Sequence, residues 1–197
     1  MANARFSIAP AYYTGSEVTP EVTVTHSGKT LVKDRDFIVT YHNNIEPSSY
    51  YNSPWVGIDG IGNYQGYVTK SFTINRADIS SCTVTLSDES LTYTGSSLRP
   101  TATVKSGDKE LTLNQDYYVS YRNNWDAGTA SAILTGTGNY TGSVTKDFTI
   151  KPLDISRYSA SLSQYSYTSD GTEKCPDVTV TYGDKTLATG TDFTVSY

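Results

Sequence analysis

The sequence predicts an all-β fold made of small β-sandwiches, on three observations. Apolar residues alternate over short runs, and no long window carries them at a helical spacing. Tyr is very frequent at 17 residues, and Thr, Ser and Val are common; these residues suit a half-buried pleated surface. The 15 Gly and 7 Pro fit many short strands with frequent turns. A length of 197 residues suits one or two domains.

The runs repeat, which fixes the organisation. "TPEVTV" at Thr19 is answered by "RPTATV" at Arg99 and "CPDVTV" at Cys175. "DFIVTY" at Asp36 becomes "DYYVSY" at Asp116 and "DFTVSY" at Asp192. "YTG" at Tyr13 recurs at Tyr93, "GNYQG" at Gly62 becomes "GNYTG" at Gly138, and "VTKSFTI" at Val68 becomes "VTKDFTI" at Val144. Pro20 and Pro100 are 80 residues apart, and Pro100 and Pro176 are 76 apart. Three repeats follow, at 1–78, 79–154 and 155–197. The third stops at Tyr197, without counterparts of "GNYTG" and "VTKDFTI". It reads as part of a longer chain, with Met1 as the point where that chain was cut.

In order, the elements of the second repeat are "CTVTLS", "SLTYTG", "RPTATVKSG", "KELTL", "DYYVSYRNN", "TASAILTGTG" and "SVTKDFTI", each closed by Gly, Asn or Asp. About seven short strands in 75–80 residues suggest a β-sandwich of immunoglobulin-like type. Only "NRADIS" and "KPLDIS" lie between repeats, and one of them holds Pro152. Such short linkers predict a semi-rigid linear array in which each module has its own core.

Period-two alternation sorts the faces. Phe37, Val39 and Tyr41, with Tyr117, Val119, Tyr121 and Phe193, Val195, Tyr197, are expected to face the core, as are Phe72, Ile74, Phe148 and Ile150. Tyr64 and Tyr140, in the "GNYxG" turns, are expected to bond backbone through their hydroxyls, like a tyrosine corner. Lys70 and Lys146 share parity with the core pair that follows them. Either a bulge shifts the register or the stems snorkel to the rim.

The pattern Y-T-G…P…V-T-V…D-[FY]-x-V-[ST]-Y-x-N-N…G-N-Y-x-G…F-T-I resembles the Ig-like tandem repeats of large surface proteins from Gram-positive, often gut-dwelling, anaerobes, over nearly the whole chain. The resemblance implies an extracellular, cell-surface setting and a role as adhesin arm, stalk or spacer. It also raises an intramolecular isopeptide bond at Lys70 or Lys146, with Asp36, Asp116, Asn63 and Asn139 as recurring acid or amide groups. Because some surface repeat proteins of this kind resemble antibody-binding superantigens, host glycoproteins and immunoglobulins are plausible partners.

Composition and motifs exclude several classes. The net charge is −5 with no basic run, which argues against a nucleic-acid partner. No apolar stretch reaches membrane-spanning length, and "MANARFSIAP" lacks the apolar core of a signal peptide. Cys82 and Cys175 fall at non-equivalent places and are expected to be unpaired thiols. His26 and His42 face Lys105 and Arg122 at the matching places of the second repeat, so neither is a shared ligand. No zinc spacing, calcium loop or nucleophile–base set is visible, and no metal or cofactor is expected. "GIDGIGNYQG" is not followed by a helical pattern, so a phosphate-loop mechanism fails. The chain is not expected to be an enzyme.

One stretch breaks the repeat. Between Asn44 and Gly62 the first repeat carries four more residues than the second. Aligned back from "GNY", Trp55 stands opposite Ser131, Val56 opposite Ala132 and Ile58 opposite Leu134. Val56 and Ile58 take the core face and Trp55 the outer one. Pro54 lacks a ladder donor and marks an edge. Tyr50, Tyr51 and Trp55 are therefore candidate ligand-binding residues on one outer edge, supported by Asn44 and Asn52, with Trp125 raising a weaker version of the same question. Tyr and Trp dominate interface hot spots. Two other readings stand beside recognition of an external protein. Coplanar aromatics with Asn donors would suit a polysaccharide, and a spacer with no ligand would use Trp55 as a lid on its own core.

Overall fold

In the computed structural model, which describes residues 4–197, the first repeat runs through β1 (Ala4–Ile8), β2 (Ala11–Tyr12), β3 (Val22–His26), β4 (Lys29–Thr30), β5 (Phe37–His42), β6 (Trp55–Gly60), β7 (Tyr67–Ser71) and β8 (Ile74–Asn75). Met1 lies outside the described residues. β9 (Ala77–Asp78) and a 3-10 turn at Ile79–Ser81 lead into the second repeat. There follow β10 (Thr83–Leu86), β11 (Ser90–Thr92), β12 (Ala102–Ser106), β13 (Lys109–Glu110), β14 (Tyr117–Arg122), β15 (Gly128–Gly136), β16 (Tyr140–Thr141) and β17 (Ser143–Lys151). A second 3-10 turn at Ile155–Arg157 precedes β18 (Ser159–Leu162), β19 (Val178–Tyr182) and β20 (Lys185–Thr186). Among the described residues there is no α-helix.

The strands assemble into several small sheets. β1–β3–β4 and β5–β6–β7 share one buried cluster of Val22, Val24, Leu31, Phe37, Val56 and Ile58. In the second repeat the corresponding sheets are β10–β12–β13 and β11–β17–β15–β14. The entering segment changes sheets in both repeats. β1 pairs with β3, but β2 runs parallel to β8; likewise β10 pairs with β12 and β11 runs parallel to β17.

Local chemistry sets these registers. Ser27 and Gly28 both take positive φ, 47° and 79°, as a two-residue type I′ hairpin requires, and they hold His26 opposite Lys29. The register places Ser106 opposite Lys109, so His26 corresponds to Ser106 and not to Lys105. The aspartate before each "[FY]xVxY" segment caps its own turn. The Val32 N–H donates to Asp36 at 2.9 Å, Thr112 to Asp116 at 2.9 Å and Ala188 to Asp192 at 2.8 Å.

The tyrosine roles differ from the sequence expectation. The hydroxyl-to-backbone tie shared by all three copies belongs to the last residue of "[FY]xVxY", and in the second copy Tyr117 at its start also donates to the Ala102 carbonyl at 2.9 Å. Tyr41 donates to the Pro20 carbonyl and Tyr121 to the Pro100 carbonyl, each at 2.6 Å, and Tyr197 donates to Pro176. A half-buried ring then keeps its polar end satisfied. Of the "GNYxG" pair, Tyr64 packs edge-on to His26 at 6.1 Å. Tyr140 is buried and meets Tyr13 edge-to-face at 5.7 Å. Lys70 and Lys146 are exposed on ladders that run without a bulge, so their stems snorkel. The Lys70 ammonium lies 5.5 Å from the Phe6 ring centre. Of the acid and amide groups raised for an isopeptide bond, Asp36 and Asp116 hold turn amides and Asn139 bonds Glu46.

Repeats one and two also depart from the picture of separate cores. Contacts divide the chain into two compact units, Met1–Lys151 and Pro152–Tyr197, so the first two repeats belong to one unit. A single buried cluster joins Ala11, Tyr13 and Ile74 of the first repeat to Ile79, Val104, Tyr117 and Tyr140. β9 pairs in parallel with β16 across this junction, and Lys109 Nζ lies 3.4 Å from the Tyr13 hydroxyl. Asp78 caps the connecting turn through Ser80 N–H at 2.9 Å. Cys82 lies half-buried against this cluster; Cys82 and Cys175 are both free thiols.

Two outcomes test this account. Tyr121→Phe removes the tie to Pro100 and should cost about 1 kcal/mol of stability, read from the urea midpoint of the whole chain. Arg35 and the Val32 amide together hold the Asp36 carboxyl at about 2. A carboxyl depressed in the folded state stabilises the fold above its unfolded value of about 3.9. That contribution disappears as pH falls from about 4 through about 2. The melting temperature should drop across this window, and Asp36→Asn should make the drop shallower.

Candidate functional site

The insertion begins where β5 ends. Asn43 and its counterpart Asn123 take φ of 54° and 53°, a left-handed conformation that Asn tolerates better than most residues. The next residue turns inward. Asn44 is 7% exposed, and its amide donates to the Val18 carbonyl at 3.1 Å while its own carbonyl accepts from Val18 N–H at 2.7 Å. Asn124 makes the same pair of bonds with Leu98, at 2.9 and 2.8 Å. The "NN" motif is thus a strand tie, and Asn44 lies buried with its amide bonded to Val18, not on an outer edge beside Tyr50 and Tyr51.

Pro54 explains why extra residues are needed. In the second repeat Gly128, Thr129 and Ala130 extend β15 against Ile150, Thr149 and Phe148. Pro54 stands at the place of Ala130 and has no N–H to continue such a ladder. It is fully buried, and its carbonyl accepts from Phe72 N–H at 3.0 Å, where β6 begins. The last strand, continuous as β17 in the second repeat, is divided here into β7 and β8. The insertion fills the gap with Ser48. The Ser48 N–H donates to the Ile74 carbonyl at 2.9 Å, and its hydroxyl accepts from Ile74 N–H at 3.0 Å.

The rest of the loop is tied from within. The Asn52 amide donates to the carbonyls of Glu46 at 2.8 Å, Pro47 at 3.3 Å and Asn43 at 3.4 Å. The Ser49 hydroxyl accepts from the N–H groups of Asn52 and Tyr51, at 3.1 and 3.3 Å. Glu46 also accepts from the Asn139 amide at 2.7 Å, which braces the loop against the second repeat. Asn52 therefore shapes the loop and commits its amide to backbone.

At the tip Tyr50 and Tyr51 are each 94% exposed. They meet edge-to-face, with ring centres 5.1 Å apart. Trp55 takes the outer face of its sheet, while Val56 and Ile58 are fully buried. It is half-buried, and its ring partner is His42, directly across the ladder, stacked at 3.9 Å and 10°. The aromatics thus form two features, a tyrosine pair on the loop and a His42–Trp55 stack on the sheet. Trp125 is 59% exposed in the second repeat. The outer face also exchanges volume between repeats. Gly57 and Tyr67 stand where Ile133 and Ser143 stand in the second repeat, and the Tyr67 ring covers the bare Gly57 so closely that a Cβ there would lie 2.7 Å from its hydroxyl.

Sequence reasoning missed Ser48, Ser49, Glu46 and His42. Two signals were present: Pro54 implied an unpaired strand end that needed new partners, and His42 shares the outer parity of the strand opposite Trp55. Among the described residues, no group of three or more His, Cys, Asp or Glu side chains gathers as a metal site. Burial raises the Cys82 thiol pKa, which keeps it in the less nucleophilic protonated form. Among the described residues no helix is long and apolar enough to cross a membrane. Comparison with protein-family models, curated proteins and solved structures finds no match to the chain.

Asn52→Ala should leave the melting temperature within about 0.5 kcal/mol equivalent of the parent, as surface changes usually do. It should also speed hydrogen exchange at the Tyr51 and Asn52 amides. Unchanged exchange there would show that the loop does not depend on its amide ties.

Proposed function

We propose that this chain is a non-catalytic region of a bacterial cell-surface protein, built of immunoglobulin-like sandwiches in tandem, that recognises an external protein through the insertion loop of the first repeat. Sheets with a shared core in the first repeat, and an entering strand that passes from one sheet to the other in the second, support the sandwich reading. The repeated motifs quoted above support the surface setting.

The observation that carries the function is the presentation of Tyr50 and Tyr51. Two aromatic rings stand almost wholly in solvent on a loop held by Asn52, Ser49 and Ser48. Tyrosine gives large contact area for only two rotatable side-chain bonds, and a loop ordered in advance loses little entropy on binding. Antibody loops use the same economy, and a host glycoprotein or an immunoglobulin is the partner class we propose. The polysaccharide reading is less well supported. A sugar ring needs an open aromatic face, and one face of Trp55 is covered by His42. A spacer gains nothing from two tyrosines so fully exposed.

A serum-protein pull-down run beside a glycan array tests the proposal. Capture of a defined serum protein, lost by a Tyr50→Ala/Tyr51→Ala double variant with an unchanged melting temperature, is the expected result. The loss should amount to about 2 kcal/mol or more, the hot-spot scale. Glycan binding with no protein captured, or capture that the double variant retains, would overturn it.

A further inference from the structure

We propose that the first repeat carries a binding site for a small apolar carboxylate, in a cleft of about 410 Å³ beside the break between β7 and β8. Phe6, Ile8 and Pro10 line one side of it, and Lys70, Phe72 and Thr73 the other. A cleft of this volume suits one small-molecule ligand. None of the residues of the tyrosine loop lines it.

The second repeat shows why the cleft is open. Ile8 pairs with Val22 and Leu86 with Ala102, so Ile8 and Leu86 correspond. Ala11 pairs with Ile74 and Leu91 with Ile150, so Ala11 and Leu91 correspond. The crossover between sheets is therefore Ala9 and Pro10 in the first repeat, but Ser87, Asp88, Glu89 and Ser90 in the second. In the longer crossover the Glu89 carbonyl accepts from Thr149 N–H at 2.9 Å, and Phe148 is 2% exposed. The shorter crossover brings no carbonyl to Thr73, whose N–H finds no acceptor among the described residues. Phe72, at the place of Phe148, is only half-buried.

The shortening also changes the charge. Asp88 and Glu89 have no counterpart in the first repeat, and Ser71 stands in place of Asp147. Lys70 is then the one charged side chain that lines the cleft. Its ammonium lies 5.5 Å from the Phe6 ring centre, and no carboxylate among the described residues pairs with it. One cation and one backbone donor, beside two aromatic rings and an isoleucine, match one negative group on an apolar body. Lys70 takes the carboxylate in a charge-assisted bond, and Thr73 N–H offers a second donor. Phe6, Ile8 and Phe72 take the apolar body out of water.

The test titrates the whole 197-residue chain with phenylbutyrate and follows amide and lysine side-chain chemical shifts. Saturable shifts at Thr73 and Lys70 are expected, with a Kd on the order of 1 mM for so small a ligand. Phenylbutanol keeps the apolar body without the charge, and butyrate keeps the charge without the ring; each should bind at least about fivefold more weakly. Lys70→Gln should lower the affinity for the acid to that for the alcohol and leave the melting temperature unchanged. Replacing Ala9 and Pro10 by Ser-Asp-Glu-Ser restores the crossover of the second repeat and should abolish binding. No saturation by about 10 mM, equal binding of acid and alcohol, or affinity unaffected by Lys70→Gln overturns the proposal. So do equal shifts at Lys146 and Thr149, which would mark non-specific attraction to lysine.

Discussion

A backbone polar group taken out of water needs a partner, and at Pro54 the chain has removed one. Much of what distinguishes the first repeat from the second follows from that constraint. Without a donor at this position the ladder that begins at Gly128 in the second repeat has no counterpart before Trp55. The last strand breaks, and Ile74 is left with an N–H and a carbonyl to satisfy. Ser48 supplies both bonds, so the insertion is anchored at the heart of the repeat even though its tip lies in solvent. The tyrosine pair is therefore carried by an element that the fold requires.

The same logic of satisfied polar ends runs through the repeats. Each "[FY]xVxY" segment is fixed at one end by an aspartate that caps its turn and at the other by a tyrosine hydroxyl on a proline carbonyl. These short-range ties are of ordinary strength one by one. Their recurrence gives every repeat the same frame. At the junction the frame serves a second purpose. Tyr140, from the "GNY" turn, fills the space between repeats instead of its own corner.

The strands, their faces and the outward turn of Trp55 were legible because each depends on period-two alternation or on a local turn signal. Val56, Ile58, Phe37 and Phe148 needed nothing more. The partners of polar side chains were not legible. Asn44 and Asn52 look alike in sequence, but one is drawn inward by Val18 and the other is spent on the loop's own carbonyls. Which of several tyrosines reaches a proline carbonyl depends on the distance across the sandwich, which a one-dimensional pattern does not carry. The shared core also escaped notice, because Ala11, Tyr13 and Ile74 meet the second repeat only once β2 and β8 have paired.

The parallel pairing of the entering and leaving strands, β2 with β8 and β11 with β17, has a mechanical meaning. After β1 or β10, the chain passes into the near end of one strand of the pair and leaves the repeat at the far end of its neighbour. A pull between those points drives the two strands past each other along their length. The hydrogen bonds between them are then loaded in shear and must give way together, whereas a pull across a hairpin would open them one at a time. In a chain stretched along its length, the bonds of each such ladder therefore resist the pull together.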